Sequence, residues 1–430
     1  MAEALRIAVA GLGTVGAGVV KLINARAAEM TARTGRMVTI TTVSARDRNR
    51  DRGIDVSGYA WVDDARDIAD RDDVDVVVEL IGGSEGVAKD LVEASLRAGK
   101  SVVTANKALI AIHGNELAKL AEENGVALAY EAAVAGGIPI IKALREGLAG
   151  NAVSRVSGIL NGTCNYILTE MRETGRDFAG VLADAQALGY AEADPTFDVD
   201  GIDAAHKLAI MAAIAFKRPV DFDGVSTEGI RKLSSVDIEF ARELDYRIKL
   251  LGVAELNDGA VLQTVRPCMV SRDAPIAKVE SVTNAVVVEG DFVGQTILEG
   301  PGAGEGPTAS SVASDIIDIA AGRNCPVFGV RADALQPLPA QAPESLFGRY
   351  YIRWIVKDQA GVIAEISSVL RDHRISIESL LQRGDSDVGT VPLVIITHGV
   401  VEADVRNAVA EISDLDCVVV DAQVIRIVEN

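Results

Sequence analysis

Leu5-Arg-Ile-Ala-Val-Ala10 runs directly into Gly11-Leu-Gly-Thr-Val-Gly16. The first six residues read as a short, mostly apolar strand, and Thr14 to Ala28 reads as a helix. Between them the glycines fit GxGxxG, and each has its own task. Gly11 permits a tight turn, Gly13 lets the backbone approach a pyrophosphate, and Gly16 allows close helix–strand packing. The helix start at Thr14 and Val15 offers unpaired N–H groups and partial positive charge to phosphates. A plain strand-to-helix turn also uses glycine. The motif gains its weight from standing directly after a strand and directly before a helix.

The alternation continues downstream. Strands are expected at Met37–Ser44, Val74–Leu80, Ser101–Thr104 and Val126–Tyr130, with helices at Glu85–Ala98 and Asn106–Glu123. Gly99 and Gly125 stand where those helices should stop. Strands alternating with helices imply a parallel, doubly wound sheet of Rossmann type. We therefore assign residues 1–135 to a dinucleotide-binding domain, completed by a returning helix near 305–325. After about residue 150 the pattern changes. Strand-like segments at Val153–Leu160, Val261–Val270 and Val282–Leu298 surround a helical middle, which predicts an α+β catalytic and dimerisation domain over 136–335. Gln336-Pro-Leu-Pro-Ala-Gln-Ala-Pro343 is proline-rich and opens a linker, 336–348. Residues 349–430 read strand, helix, strand, strand, helix, strand, a ferredoxin-like βαββαβ sandwich.

Composition sets the outer bounds. The chain has 430 residues, 49% hydrophobic and 24% charged, with only 4% aromatic. The core must be mainly Val, Ile, Leu and Ala, which suits buried parallel strands. A net charge of -20 argues against nucleic acid and anionic lipid as partners. Cys164, Cys268, Cys325 and Cys417 form no CxxC pair, which argues against a zinc site or a disulfide framework. No stretch reaches the roughly 18 apolar residues of a membrane span, and no signal peptide is legible, so the expected location is cytoplasmic.

Three clusters carry chemistry. The second strand ends Val43-Ser44-Ala45-Arg46-Asp47. A carboxylate at that tip would bind a ribose 2′-hydroxyl, whereas Arg46 can pair with a 2′-phosphate, so NADP is favoured over NAD. The alternative is a solvated arginine-rich loop that accepts both. Thr104 and Lys107, in Val102-Val-Thr-Ala-Asn-Lys-Ala-Leu109, lie at the C-terminal edge of a strand, where open α/β sheets bind ligands. Gly189 to Lys207 carries Glu192, Asp194, Asp198, Asp200 and Asp203, and Asp203 and Lys207 are four apart on one helix face. Such a pair can equally be surface decoration. Carboxylates without histidine at ligand spacing do not favour zinc. His206, on another helix face, reads as structural.

Taken together, these segments closely resemble homoserine dehydrogenase. The matching stretches are GLGTVG (11–16), VVVELIGG (76–83), VVTANKALI (102–110), YEAAVAGGIPII (130–141), GILNGTCNYILT (158–169), GYAEADPTFDVDGIDAAHKLAI (189–210) and GPGAGEGPTAS (300–310). The tail resembles an ACT domain, a small-molecule-sensing module, and Lys357-Asp-Gln-Ala-Gly-Val362 resembles its ligand corner at Asp358 and Gly361. The resemblance implies reversible NAD(P)-dependent interconversion of L-homoserine and L-aspartate 4-semialdehyde, in threonine, methionine and isoleucine biosynthesis. It makes Lys207 the acid/base lysine and Lys107 a lysine touching substrate and cofactor. Glu192 and Asp203 orient the amino acid, and Gly189 and Gly304 line the cofactor cleft. Glu131 and the carbonyls of Val134, Gly136 and Ile138 match a monovalent cation site, usually sodium. Threonine is the expected effector, and a homodimer or homotetramer the expected assembly. The competing readings are another NAD(P)-dependent amino-acid or aldehyde dehydrogenase, and an amino-acid-sensing regulator.

Overall fold

The computed structural model describes residues 3–383 and 389–428. Its first sheet is parallel, with strands in the order Ala60–Val62, Val38–Ser44, Leu5–Ala10, Val76–Glu79, Ser101–Thr104, Leu128–Ala129. This is the doubly wound order, and the glycine loop follows the central strand where the winding reverses. Val76, Val77 and Val78 are buried, as a strand covered on both faces requires. The first helix runs Thr14–Thr34, beyond Ala28, because good helix formers continue until Gly35 takes the left-handed turn at φ +69°. The Glu305–Ala320 helix returns to this domain. Gly18 makes room for it, since a Cβ there would stand 2.6 Å from Glu305 Cγ. Val19, Val20 and Ile23 share a core with Ala309, Val312 and Ile316.

The second sheet joins the rest of the chain. Its strands stand in the order Gly294–Pro301, Thr283–Gly290, Val153–Ile159, Tyr246–Asn257, Ala260–Ser271, then Val418–Val428, Phe347–Lys357, Thr390–Thr397, Ile377–Gln382. Two differences from the sequence reading stand out. Val282–Leu298 is an antiparallel hairpin rather than one strand, turned between Gly290 and Gly294. Tyr246–Asn257 is a strand inside what reads as a helical middle.

The last four strands and the helices Val362–Asp372 and Glu402–Ser413 form the expected βαββαβ sandwich. Both helices cover one sheet face, burying Tyr350, Ile352 and Trp354. The other face, with Tyr351, Val394, Ile396, Ile425 and Ile427, joins the large core shared with the preceding part of the chain. Cys268–Val270 pairs in parallel with Arg426–Val428, so one sheet crosses the boundary. The proline-rich linker is laid against the body, with Val261 N donating to Pro339 O (2.8 Å) and Gln341 N to Val261 O (2.9 Å). The C-terminal module is thus docked, where the linker composition alone suggests a tether.

Candidate active site

Two cavities flank the glycine loop. The first, about 680 Å³, is lined by Gly11, Gly13, Ser44, Arg46 and Arg50 among others. The glycines are required by contacts as well as by dihedrals. Gly11 has φ +99°, and a Cβ on it would stand 2.5 Å from Leu80 O. A Cβ on Gly16 would stand 2.0 Å from Gly11 O, while Gly13 faces open space. No side chain caps the helix that starts at Thr14, and no acidic residue occupies its first turn, so its N–H groups are left for an anion. Arg52 is spent on the loop itself, donating to Leu12 O (3.0 Å) and Arg50 O (2.7 Å). Asp47 Oδ1 accepts from Asn49 N within its own turn (2.9 Å). Arg46 and Arg50 stay exposed on the cavity wall.

The second cavity, about 560 Å³, brings together Lys107, Asp203, Lys207, Gly189 and Gly304, with Val15 from the glycine loop. Asp203 is 4% exposed and Lys207 9%, so their pair is no surface decoration. Lys207 Nζ donates to Asp203 Oδ2 (2.7 Å) and to Leu160 O (2.7 Å). Lys107 Nζ lies 3.2 Å from Asp203 Oδ1. Burial opposes the Asp203 charge, but Lys207, Lys107 and the Asn161 amide outweigh it and hold the carboxyl well below its usual range. Burial instead pushes Asp198 up, against a hydrogen bond from Asn161. His206 packs between Phe197 and Phe222, with its Nδ1 buried and without a hydrogen-bond partner. Burial, helped by Lys107, pushes its imidazole down to about 4, in keeping with a structural role.

Several residues of this cavity escape the sequence reading. Asn161 is the N-cap of the Gly162–Thr174 helix, accepting from Cys164 N (2.8 Å). Its amide nitrogen also donates to Asp203 Oδ2 (2.9 Å) and Asp198 Oδ1 (2.7 Å), bridging two carboxylates. Thr163, Tyr190, Asn284 and Thr308 also line the wall. The available signal was the LNGTCN stretch, where asparagine before a helix reads first as an ordinary cap.

Other expected site residues stand apart. Glu192 is exposed and does not line the cavity; its carbonyl accepts from Gln186 Nε2 (2.9 Å). Thr104 is fully buried, and its hydroxyl donates to Glu79 Oε2 (2.5 Å) and accepts from Asn106 N (2.9 Å), fixing the turn before Lys107. In the return segment Gly302 and Gly304 line the cavity and Gly306 does not. Glu131 is buried, accepting from Ile141 N and Lys142 N (2.9 Å each), and burial together with Asp315 pushes its carboxyl up to about 7. Val134, Gly136 and Ile138 follow in the same turn, where Ala135 and Gly136 have φ +56° and +52°. Gly136 O accepts from Ser311 Oγ (2.7 Å). In the C-terminal module Gly361 has φ +103° at the start of the Val362–Asp372 helix, and Asp358 N donates to Gly389 O (3.0 Å).

Comparison with known proteins agrees with this layout. Family models match residues 11–131 as the homoserine dehydrogenase NAD-binding domain, 139–317 as homoserine dehydrogenase, and 350–417 as an ACT domain. A homoserine dehydrogenase of Pseudomonas aeruginosa is 46% identical over 419 residues, covering 96% of each chain. One of Bacillus subtilis is 39% identical, covering 97% of this chain and 96% of its own. The solved homoserine dehydrogenase of Thiobacillus denitrificans superimposes with a TM-score of 0.94 at 42% identity, covering 100% of this chain and 99% of its own. A hyperthermophilic archaeal homoserine dehydrogenase in complex with NADPH superimposes at 0.63 with 28% identity, covering 74% and 97%. By residue matches, coverage and fold, the chain belongs to the homoserine dehydrogenase family.

Proposed function

We propose that the chain catalyses the reversible NAD(P)-dependent interconversion of L-homoserine and L-aspartate 4-semialdehyde. One observation carries the reading: two lysines converge on one buried carboxylate in a cavity that adjoins a glycine loop built for a dinucleotide. A bound nicotinamide supplies the hydride acceptor. Lys207 takes the hydroxyl proton as hydride leaves C4, and returns it to the carbonyl oxygen in the reverse direction. Asp203 holds the substrate ammonium from the cavity wall, and Glu192 is assigned to it with Asp203 on the motif alone. Lys107 reaches substrate and cofactor from the edge of the first sheet. Gly11, Gly13, Thr14, Val15 and Gly16 receive the pyrophosphate, with Gly189 and Gly304 along the cleft, and Thr104 keeps the Lys107 turn in place. Arg46 favours NADP, with Arg50 beside it.

Glu131, with the carbonyls of Val134, Gly136 and Ile138, fits a sodium ion. A buried carboxylate followed by a turn of small residues offers hard oxygen donors, and a cation there would offset the cost of burying the charge. Threonine is the effector we assign to the Asp358–Gly361 corner, within threonine, methionine and isoleucine biosynthesis. A homodimer or homotetramer is supported by two sheet edges, Gly294–Pro301 and Ile377–Gln382, where Ile297 and Leu380 are exposed. No helix among the described residues is long and apolar enough to cross a membrane.

The deciding experiment follows reduction of NAD and NADP by the purified chain with homoserine. Cofactor reduction with homoserine, and a lower preference for NADP in Arg46→Ala, are the expected results. No reduction with either cofactor would overturn the reading. An unchanged cofactor ratio would leave Arg46 as a solvated loop residue.

A further inference from the structure

A second polar pocket lies away from both cavities of the active site. It has a volume of about 340 Å³ and sits between the end of the Gly162–Thr174 helix, the Ser235–Glu243 helix and the start of the Tyr246–Asn257 strand. Five cations line it, Arg172, Arg242, Arg247, Lys249 and Arg272, against one carboxylate, Glu173. This concentration stands out in a chain whose net charge is -20.

The cations are incompletely neutralised. Arg172, Arg247 and Lys249 share a single further carboxylate, Glu280, with Arg172 at 2.7 Å and Lys249 at 3.6 Å. Arg272 pairs with Asp245 at 3.1 Å. Lys249 is 2% exposed and is held mainly by neutral oxygens, donating to Asn165 Oδ1 (3.0 Å) and Val279 O (2.5 Å). Burial and the two neighbouring arginines push its ammonium down to about 8, although Glu280 opposes them. Five cations against Glu173, Glu280 and Asp245 leave positive charge in excess, and an anion entering the pocket would offset it.

We propose that this pocket binds a small phosphate dianion, free or as the phosphate group of a small metabolite. The guanidinium forks of Arg242, Arg247 and Arg272 match the tetrahedral oxygens of phosphate, and the volume suits a small phosphorylated molecule rather than a dinucleotide. The pocket also lies on the framework of the active site. The Gly162–Thr174 helix starts at Asn161, which holds Asp198 and Asp203; Asn165 on it accepts from Lys249, and Arg172 in its last turn lines the pocket.

The test titrates the full chain with inorganic phosphate, glycerol 3-phosphate and succinate by calorimetry. NADP is present at saturation, so that the glycine loop is not the site measured. Binding of at least one phosphate compound, weakened about tenfold or more in Arg242→Glu, is the expected result. Arg242 lies on the pocket rim, remote from Lys207, and Arg272→Glu provides a second variant should the first fail to fold. Preference for glycerol 3-phosphate over inorganic phosphate would identify an ester as the occupant; equal binding would identify phosphate itself. Absence of binding by both, binding indifferent to both variants, or tighter binding of succinate would overturn the proposal.

Discussion

Lys207 and His206 are adjacent in sequence and face opposite demands. Lys207 points at a buried carboxylate, and removing its amine leaves Asp203 with Lys107 and Asn161 as its remaining partners. Lys207→Ala should lower turnover by about 10²–10⁴-fold. Homoserine affinity should be largely kept, because Asp203 remains in place. Steady-state kinetics check this, and an unchanged turnover number would remove Lys207 from the chemistry. His206 packs against aromatic rings and is held neutral, with its pKa lowered to about 4. Between about pH 6.5 and 4 the unfolded chain binds a proton at this position that the folded chain refuses. Stability from this group is therefore complete above about pH 6.5 and is lost as pH falls through 4, by at most about 3 kcal/mol. His206→Gln should flatten that part of the unfolding profile. Equal slopes for the two proteins in denaturant melts at pH 4.5 and 7 would show that His206 is not responsible.

Elements differed in how far they could be read. The Leu5–Ala10 strand and the helix from Thr14 were legible because three glycines and a change of hydrophobic period fall within twelve residues. The Tyr246–Asn257 strand was not. It is buried on both faces along most of its length, so it shows no alternation, and Lys249 places a charge in its middle. Asn161 was legible as a cap and illegible as a bridge, since the bridge depends on Asp198 and Asp203, 37 and 42 residues away. Glu192 was singled out by a motif, yet the stretch that holds it leaves it exposed. The Ser235–Glu243 helix shows how an element can serve two partners. Asp237 closes a capping box with Ser234, accepts from Arg353 Nε (2.6 Å) and Nη2 (3.1 Å), and accepts from Tyr351 OH (3.0 Å). Asp237→Ala removes the cap and leaves the Arg353 charge buried and unpaired, at a cost of about 3–5 kcal/mol. The expected outcome is a lower melting temperature and protease cleavage near the linker. A melting temperature within a degree of the parent would show that this contact is not what docks the module.

At the scale of the whole molecule, the C-terminal module presents two buried sheet faces, and Tyr350-Tyr-Ile-Arg-Trp-Ile-Val356 is apolar at almost every position because both are covered. One face meets its own helices. The other meets the preceding part of the chain through Tyr351, Ile396 and Ile425, through the Asp237–Arg353 pair and through Arg266–Glu402 at 2.8 Å. A proline-rich linker by itself would permit a clean excision near Pro343. In the structure it strips an apolar face and breaks two buried ion pairs, so the truncated chain should aggregate or unfold at lower temperature, and its activity would say little about regulation. A point change tests regulation with the fold intact. Gly361 has no atom within 4 Å of an added Cβ, and its cost is confined to the positive φ of +103°, about 1–2 kcal/mol. Gly361→Asp should therefore keep the docked module and the basal turnover. An aspartate there would crowd and repel the carboxylate of an amino acid at the Asp358–Gly361 corner. An effector inhibits only by binding the less active state better, so weakening its binding shifts the inhibition curve without changing the uninhibited rate. The measurement is a threonine dose–response of homoserine oxidation for the parent and Gly361→Asp, alongside their melting curves. A tenfold or larger rise in the half-inhibitory concentration at similar melting temperature is expected. Identical curves for two equally stable proteins would place the effector site elsewhere.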